Sequence, residues 1–116
     1  MPEEKENAIV KLTIEFALKI IVFCEELEKI KKWKLADQLF RSGTSIGANV
    51  HEAQNAESKA DFIHKFKIAA KEAEETWYWL ILCERSKNLP NPFGLQPDLD
   101  LIKRIIGKII VSSKNK

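Results

Sequence analysis

The chain has 116 residues and carries 19 Lys+Arg against 17 Asp+Glu, a net charge of only +2, which by itself points to no nucleic-acid partner. Apolar residues make up 45% and charged residues 31%, the proportions of one globular domain with room for a real core. There are 4 Gly and 4 Pro, three of the prolines gathered at Pro90, Pro92 and Pro97, so the long unbroken stretches favour helices over a many-stranded β fold.

The first helix is predicted from about Glu4 to Lys31. Ile9, Thr13, Phe16, Ile20, Phe23, Leu27 and Ile30 alternate spacings of four and three and form one face. A second stripe, Val10, Ile14, Ala17, Ile21 and Cys24, runs beside it. The wet positions Lys11, Glu15 and Lys19 make one narrow line, whereas a helix at the corner of an isolated bundle keeps a broad polar face. This helix therefore has more apolar surface than one bundle needs. That predicts an oligomer. The interrupting charges also argue against a membrane span. The opening Met-Pro-Glu-Glu is acidic, unlike a signal-peptide n-region, and the expected compartment is the cytoplasm. Cys24 and Cys83 lie on apolar stretches far apart in sequence, and two buried free thiols are a simpler expectation than a disulfide.

A turn near Lys31 to Lys34, marked by neither Gly nor Pro, leads to a second helix over 34–55. Leu39, Gly43, Ile46, Val50 and Ala53 form its core stripe, while Arg41, Ser45, Asn49 and Glu52 line a polar face. Gly43 and Gly47, one turn apart, permit close packing of a neighbouring helix at some cost in helix propensity. Ser58 with Asp61 predicts the N-cap of a third helix over 59–87. Its core stripe reads Phe62, Phe66, Ala69, Ala73, Thr76, Leu80 and Cys83, beside a second line of Ile68, Glu72, Glu75, Trp79 and Leu82. Carboxylates sharing a line with large apolar residues need polar partners. Residues 88–97 are a loop, after which Pro97, Asp98 and Asp100 open a fourth helix over 98–112, with Leu99, Ile102, Ile106 and Ile109 inward and Ile105 and Ile110 widening that side. Short connections make neighbours antiparallel. The expected architecture is all-α: a single-domain, up-down-up-down four-helix bundle spanning residues 1–116.

Reactive groups are sparse. Asp61 and His64 have an acid-x-x-His spacing, but a di-metal bundle core needs two Glu-x-x-His pairs and two further glutamates, so no metal and no cofactor is expected. Glu52, Glu72 and Glu75 have no nucleophile, phosphate loop or histidine dyad beside them. They are expected to pair with Arg41 and Asn49, serving register and specificity more than stability, and no catalytic residue is assigned. Candidate nucleic-acid contacts are Lys31, Lys32 and Lys34 around Trp33, a compact basic and aromatic corner, and Lys67, Lys71 and Arg85 with His64 on the outer face of the third helix, where Glu74 also sits.

The run Leu35-Ala36-Asp37-Gln38-Leu39-Phe40-Arg41-Ser42-Gly43-Thr44-Ser45-Ile46-Gly47-Ala48-Asn49-Val50 resembles the 23S ribosomal RNA intervening-sequence proteins. So does Ser58 to Leu82, above all Asp61-Phe62-Ile63-His64-Lys65 and Lys71-Glu72-Ala73-Glu74-Glu75-Thr76 followed by Trp79-Leu80. The resemblance implies an up-down bundle assembling into a homopentameric ring, with recurrent polar positions at Arg41, Ser45, Asn49, Glu52 and Glu75. It also implies kinship with the nucleic-acid-binding accessory proteins of diversity-generating retroelements. Two readings follow: a non-catalytic oligomeric bundle binding RNA or DNA, with a protein partner as a further option, and an interaction scaffold with no nucleic-acid role.

Overall fold

The computed structural model describes residues 4–116, with side chains from residue 8 onward; the acidic opening residues 1–3 lie outside the described residues. Four helices follow in order, α1 (Glu4–Lys29), α2 (Trp33–Ala53), α3 (Lys59–Arg85) and α4 (Leu95–Lys114), and the described residues contain no strand. None of these helices is long and apolar enough to cross a membrane.

The direction of each helix follows from what its side chains meet. Along α1 from Thr13 through Ile20 to Cys24, the partners on α2 run backward from Gly47 through Gly43 to Ala36. Ser42 and Glu52 of α2 meet Thr76 and Lys65 of α3, again in reverse order. Glu74 and Lys59 of α3 meet Lys103 of α4 and Lys116 just beyond it. Consecutive helices are therefore antiparallel, as their short connections require. α1 closes the square against α4, with Lys19 Nζ 2.7 Å from Asp98 Oδ2. α1 packs side by side with α2 and α4 and lies diagonal to α3, as α2 lies diagonal to α4. The result is an up-down-up-down prism of 47 × 20 × 20 Å.

The core is the sum of the predicted stripes: Ile9 to Leu27 on α1, Leu39 to Ala53 on α2, Phe66 to Cys83 on α3, and Leu99, Ile102 and Ile106 on α4 are buried. Three stripe members fall at its margins. Ile30 is 45% exposed because α1 ends one residue earlier. Phe62 is half-buried with its ring 4.9 Å from that of Phe66, and Ile109 is half-buried near the end of α4.

The helix ends explain the remaining differences. α1 closes with Lys32 N–H donating to the Leu27 carbonyl and Lys31 N–H to that of Glu28, both at 2.9 Å. This Schellman arrangement puts its C′ residue in the left-handed region, and Lys31 occupies it at φ 63°. At α3, Asp61 N–H donates to Ser58 Oγ at 3.0 Å while Asp61 Oδ2 accepts from Glu57 N–H at 3.2 Å. α4 begins at Leu95, three residues before the predicted start, after Gly94 turns the chain at φ 84°. Pro97 is thus its third residue, among the N–H positions that have no helical acceptor.

Candidate assembly face and nucleic-acid interface

The apolar surplus of α1 lies on its outer side. Within the second stripe Cys24 is buried and Val10, Ala17 and Ile21 are half-buried, but Ile14 is 52% exposed. Leu18 and Val22 continue from Ile14 at intervals of four and are 59% and 57% exposed, so the apolar line reaches beyond the stripe first expected. Gly47 and Ala48 of α2, together with Thr44, leave space beside this line. The groove there has a volume of about 410 Å³ and is lined by Ile14, Ala17, Leu18, Gly47, Ala48 and His51 among others. The glycines let α2 pack close against α1. A Cβ on Gly43 would stand 2.8 Å from Ile20 Cγ2, and one on Gly47 would stand 3.1 Å from Thr13 Cβ.

A polar seam runs between α2 and α3. Arg41 reaches across with Nη1 3.0 Å from Glu72 Oε1 and Nη2 on Glu75 Oε2, which also accepts from Trp79 Nε1 at 3.1 Å. The Arg41 hydrogen bond holds the Glu75 carboxyl below the usual glutamate range, against partial burial that would raise it. Two expected pairings are corrected. Glu52 sits at the C-terminal end of α2, opposite the start of α3, and pairs with Lys65 at 3.0 Å. Asn49 donates its amide to the Ser45 carbonyl at 2.9 Å, one turn back on its own helix, and Ser45 Oγ likewise turns to the Arg41 carbonyl. Beneath the seam lies a contact the stripes did not reveal: Ser42 and Thr76, both fully buried, share a hydrogen bond at 2.9 Å, and Thr76 donates to the Glu72 carbonyl at 2.8 Å. Burial pushes the Cys24 thiol up to about 12 and the Cys83 thiol up to about 11, and both are free, which makes them unreactive at neutral pH.

The seven basic and aromatic candidates fall into two groups. Lys67 and Lys71 are exposed on the outer side of α3 with His64. Glu74, three residues from Lys71 and exposed, pairs with Lys103 Nζ at 3.1 Å, and that ammonium sits 4.5 Å from the centre of the Trp77 ring. Arg85 lies 14 residues beyond Lys71, about 21 Å along the axis. Antiparallel packing carries it instead to the end of the bundle that holds Lys31, Lys32, Trp33 and Lys34, all exposed. Phe93 projects from the α3–α4 loop at the same end and is 91% exposed. Flanked by Pro92 and Gly94 in an aperiodic segment, it carried no pattern by which to find it.

The chain matches a family model described as 23S rRNA-intervening sequence protein over residues 5–108. It is similar to a crystal structure from Bacteroides thetaiotaomicron VPI-5482, described as a protein with unknown function from the S23 ribosomal protein family, at 39% identity and a TM-score of 0.82, with 91% of this chain and 97% of that chain covered. No curated protein matches it.

Proposed function

We propose, because this chain belongs to the 23S rRNA-intervening sequence protein family, that it is a non-catalytic homo-oligomeric bundle that binds nucleic acid. The observation that carries this reading is the opposition of two surfaces. The apolar line Ile14, Leu18 and Val22 lies on α1 and the basic ridge Lys67 and Lys71 on α3, helices that are diagonal in the bundle. Subunits joined through α1, in a ring against a different face of the neighbour, would bury apolar surface worth roughly 25 cal/mol per Å², and the diagonal position of α3 keeps its ridge off the α1 side of that contact. A ring of five, which the family resemblance implies, would repeat that ridge and the basic corner of each subunit, so that a small charge per chain becomes a multivalent field. The commitment of Glu72 and Glu75 to Arg41 supports a structural role for the one carboxylate cluster on α3.

Native mass spectrometry and salt-dependent RNA retention test the two halves. Leu18→Lys with Val22→Lys should reduce the assembly to monomers. RNA binding should weaken linearly in log salt as counterions are released, and Lys67→Glu with Lys71→Glu should lower both affinity and salt slope. Absence of binding at low salt sinks the nucleic-acid half and leaves an interaction scaffold, the second reading, which the near balance of charge favours.

A further inference from the structure

We infer that the end of the bundle formed by the α1–α2 turn and the α3–α4 loop is a stacking platform for single-stranded nucleic acid, with Trp33 and Phe93 as the base-stacking side chains. The inference rests on the nucleic-acid reading above and names the site and the substrate class. Residues 29–36 and 85–97 cap this end, and they contain six cations, Lys29, Lys31, Lys32, Lys34, Arg85 and Lys87, and no carboxylate. Glu28, Asp37 and Glu84 border these segments and offset part of that charge, whereas Asp98 is held by Lys19. A chain of net charge +2 thus carries an excess of cations over carboxylates at this tip.

The aromatic residues make that tip more than a solvated basic surface. Trp33 is 55% exposed and Phe93 91% exposed, although burying either ring would be favourable. Pro92 and Leu95 on either side of Phe93 are buried, which anchors the loop and leaves the ring outside. Lys31 adds an independent sign. It holds a left-handed position at φ 63° that glycine would occupy at lower cost, and it is exposed beside Lys32 and Lys34 of the same turn. Rings flanked by cations bind single strands because every base has a π face and every phosphate a charge. The end face is about 20 Å across, room for a short single strand. Duplex DNA or RNA keeps its bases stacked internally and cannot use the rings. A membrane surface would call for a contiguous apolar wedge, and here the two rings sit on separate connections.

Fluorescence anisotropy at low salt, on the full chain, tests this with a labelled 12-nucleotide oligouridine, a 12-base-pair RNA duplex, and phosphatidylserine vesicles as a third arm. Phe93→Ala and Trp33→Ala, both at exposed positions, should each weaken oligouridine binding between about fivefold and a hundredfold and leave duplex binding within twofold, with circular dichroism unchanged. Oligouridine binding that survives Phe93→Ala undiminished overturns the platform while the broader nucleic-acid reading stands. No binding of either nucleic acid overturns both. Vesicle binding dependent on Phe93, without oligouridine binding, reassigns the tip to anionic lipid.

Discussion

Gly43 and Ile20 meet where only a hydrogen fits, since a Cβ on Gly43 would lie 2.8 Å from Ile20 Cγ2 and 2.9 Å from Cγ1. Ile20 is fully buried and has nowhere to swing. Gly43→Ala should therefore lose ~1–3 kcal/mol to overpacking despite a gain of ~1 kcal/mol in helix propensity. At Gly47 the contact is with Thr13 at 3.1 Å, and the two effects should nearly cancel. Gly107 has open space around it, so Gly107→Ala should gain ~1 kcal/mol. Urea midpoints at constant m-value check the order, and a Gly43→Ala protein as stable as the parent would refute the close-packing account.

Ser42 and Thr76 bury two hydroxyls that satisfy one another across the α2–α3 seam. Thr76→Val leaves Ser42 Oγ without its partner and should cost ~1–2 kcal/mol. Removing both hydroxyls, as Ser42→Ala with Thr76→Val, should cost less than the two single changes together, with a coupling of about 1 kcal/mol in a double-mutant cycle. Strict additivity would show that the pair contributes no mutual stabilisation.

Glu75 gives the seam a pH dependence with a definite sign. Its carboxyl is held below the ordinary range, first by the hydrogen bond from Arg41, then by that from Trp79. A group with a depressed folded value stabilises the protein fully above the unfolded glutamate value near ~4.3 and loses that contribution as pH falls through the folded value. The Arg41 side chain is 48% exposed and that of Glu75 33%, so screening limits the effect to less than ~1 kcal/mol. Glu75→Gln and Arg41→Met should both flatten the fall in urea midpoint between pH 5 and 3, and an unchanged acid limb in both would remove the seam as its source.

The helices and core were legible because a period of 3.6 residues is written into each stripe, and burial at Ile9, Leu39, Phe66 and Leu99 follows from spacing alone. Arg41 with Glu72 and Glu75 was legible for a related reason: charges on a line with Trp79 must find partners on the facing helix. Periodicity says nothing of partners set by axial register, so it puts Glu52 with the Arg41 and Asn49 of its own polar stripe and cannot point to Lys65 on α3. Ser42 escaped notice because it lies beside the core stripe, towards α3. The platform residues were half visible: the lysines around Trp33 stand together in sequence, but Arg85, Lys87 and Phe93 join them only through antiparallel packing.

Lys31 sets stability against binding at a single position. Its left-handed conformation costs ~1–2 kcal/mol that glycine escapes, partly offset by the greater freedom glycine has in the unfolded chain. Lys31→Gly should therefore raise stability by ~1 kcal/mol, read as a higher urea midpoint. If the turn contacts a single strand, the same substitution should weaken oligouridine binding a few-fold and make its salt slope shallower by about 0.7, the share of one phosphate contact. A variant that is less stable than the parent would contradict the strain at φ 63°. One that is more stable but binds with unchanged salt slope would place the lysine outside the contact, and the strained turn would then have no functional counterpart.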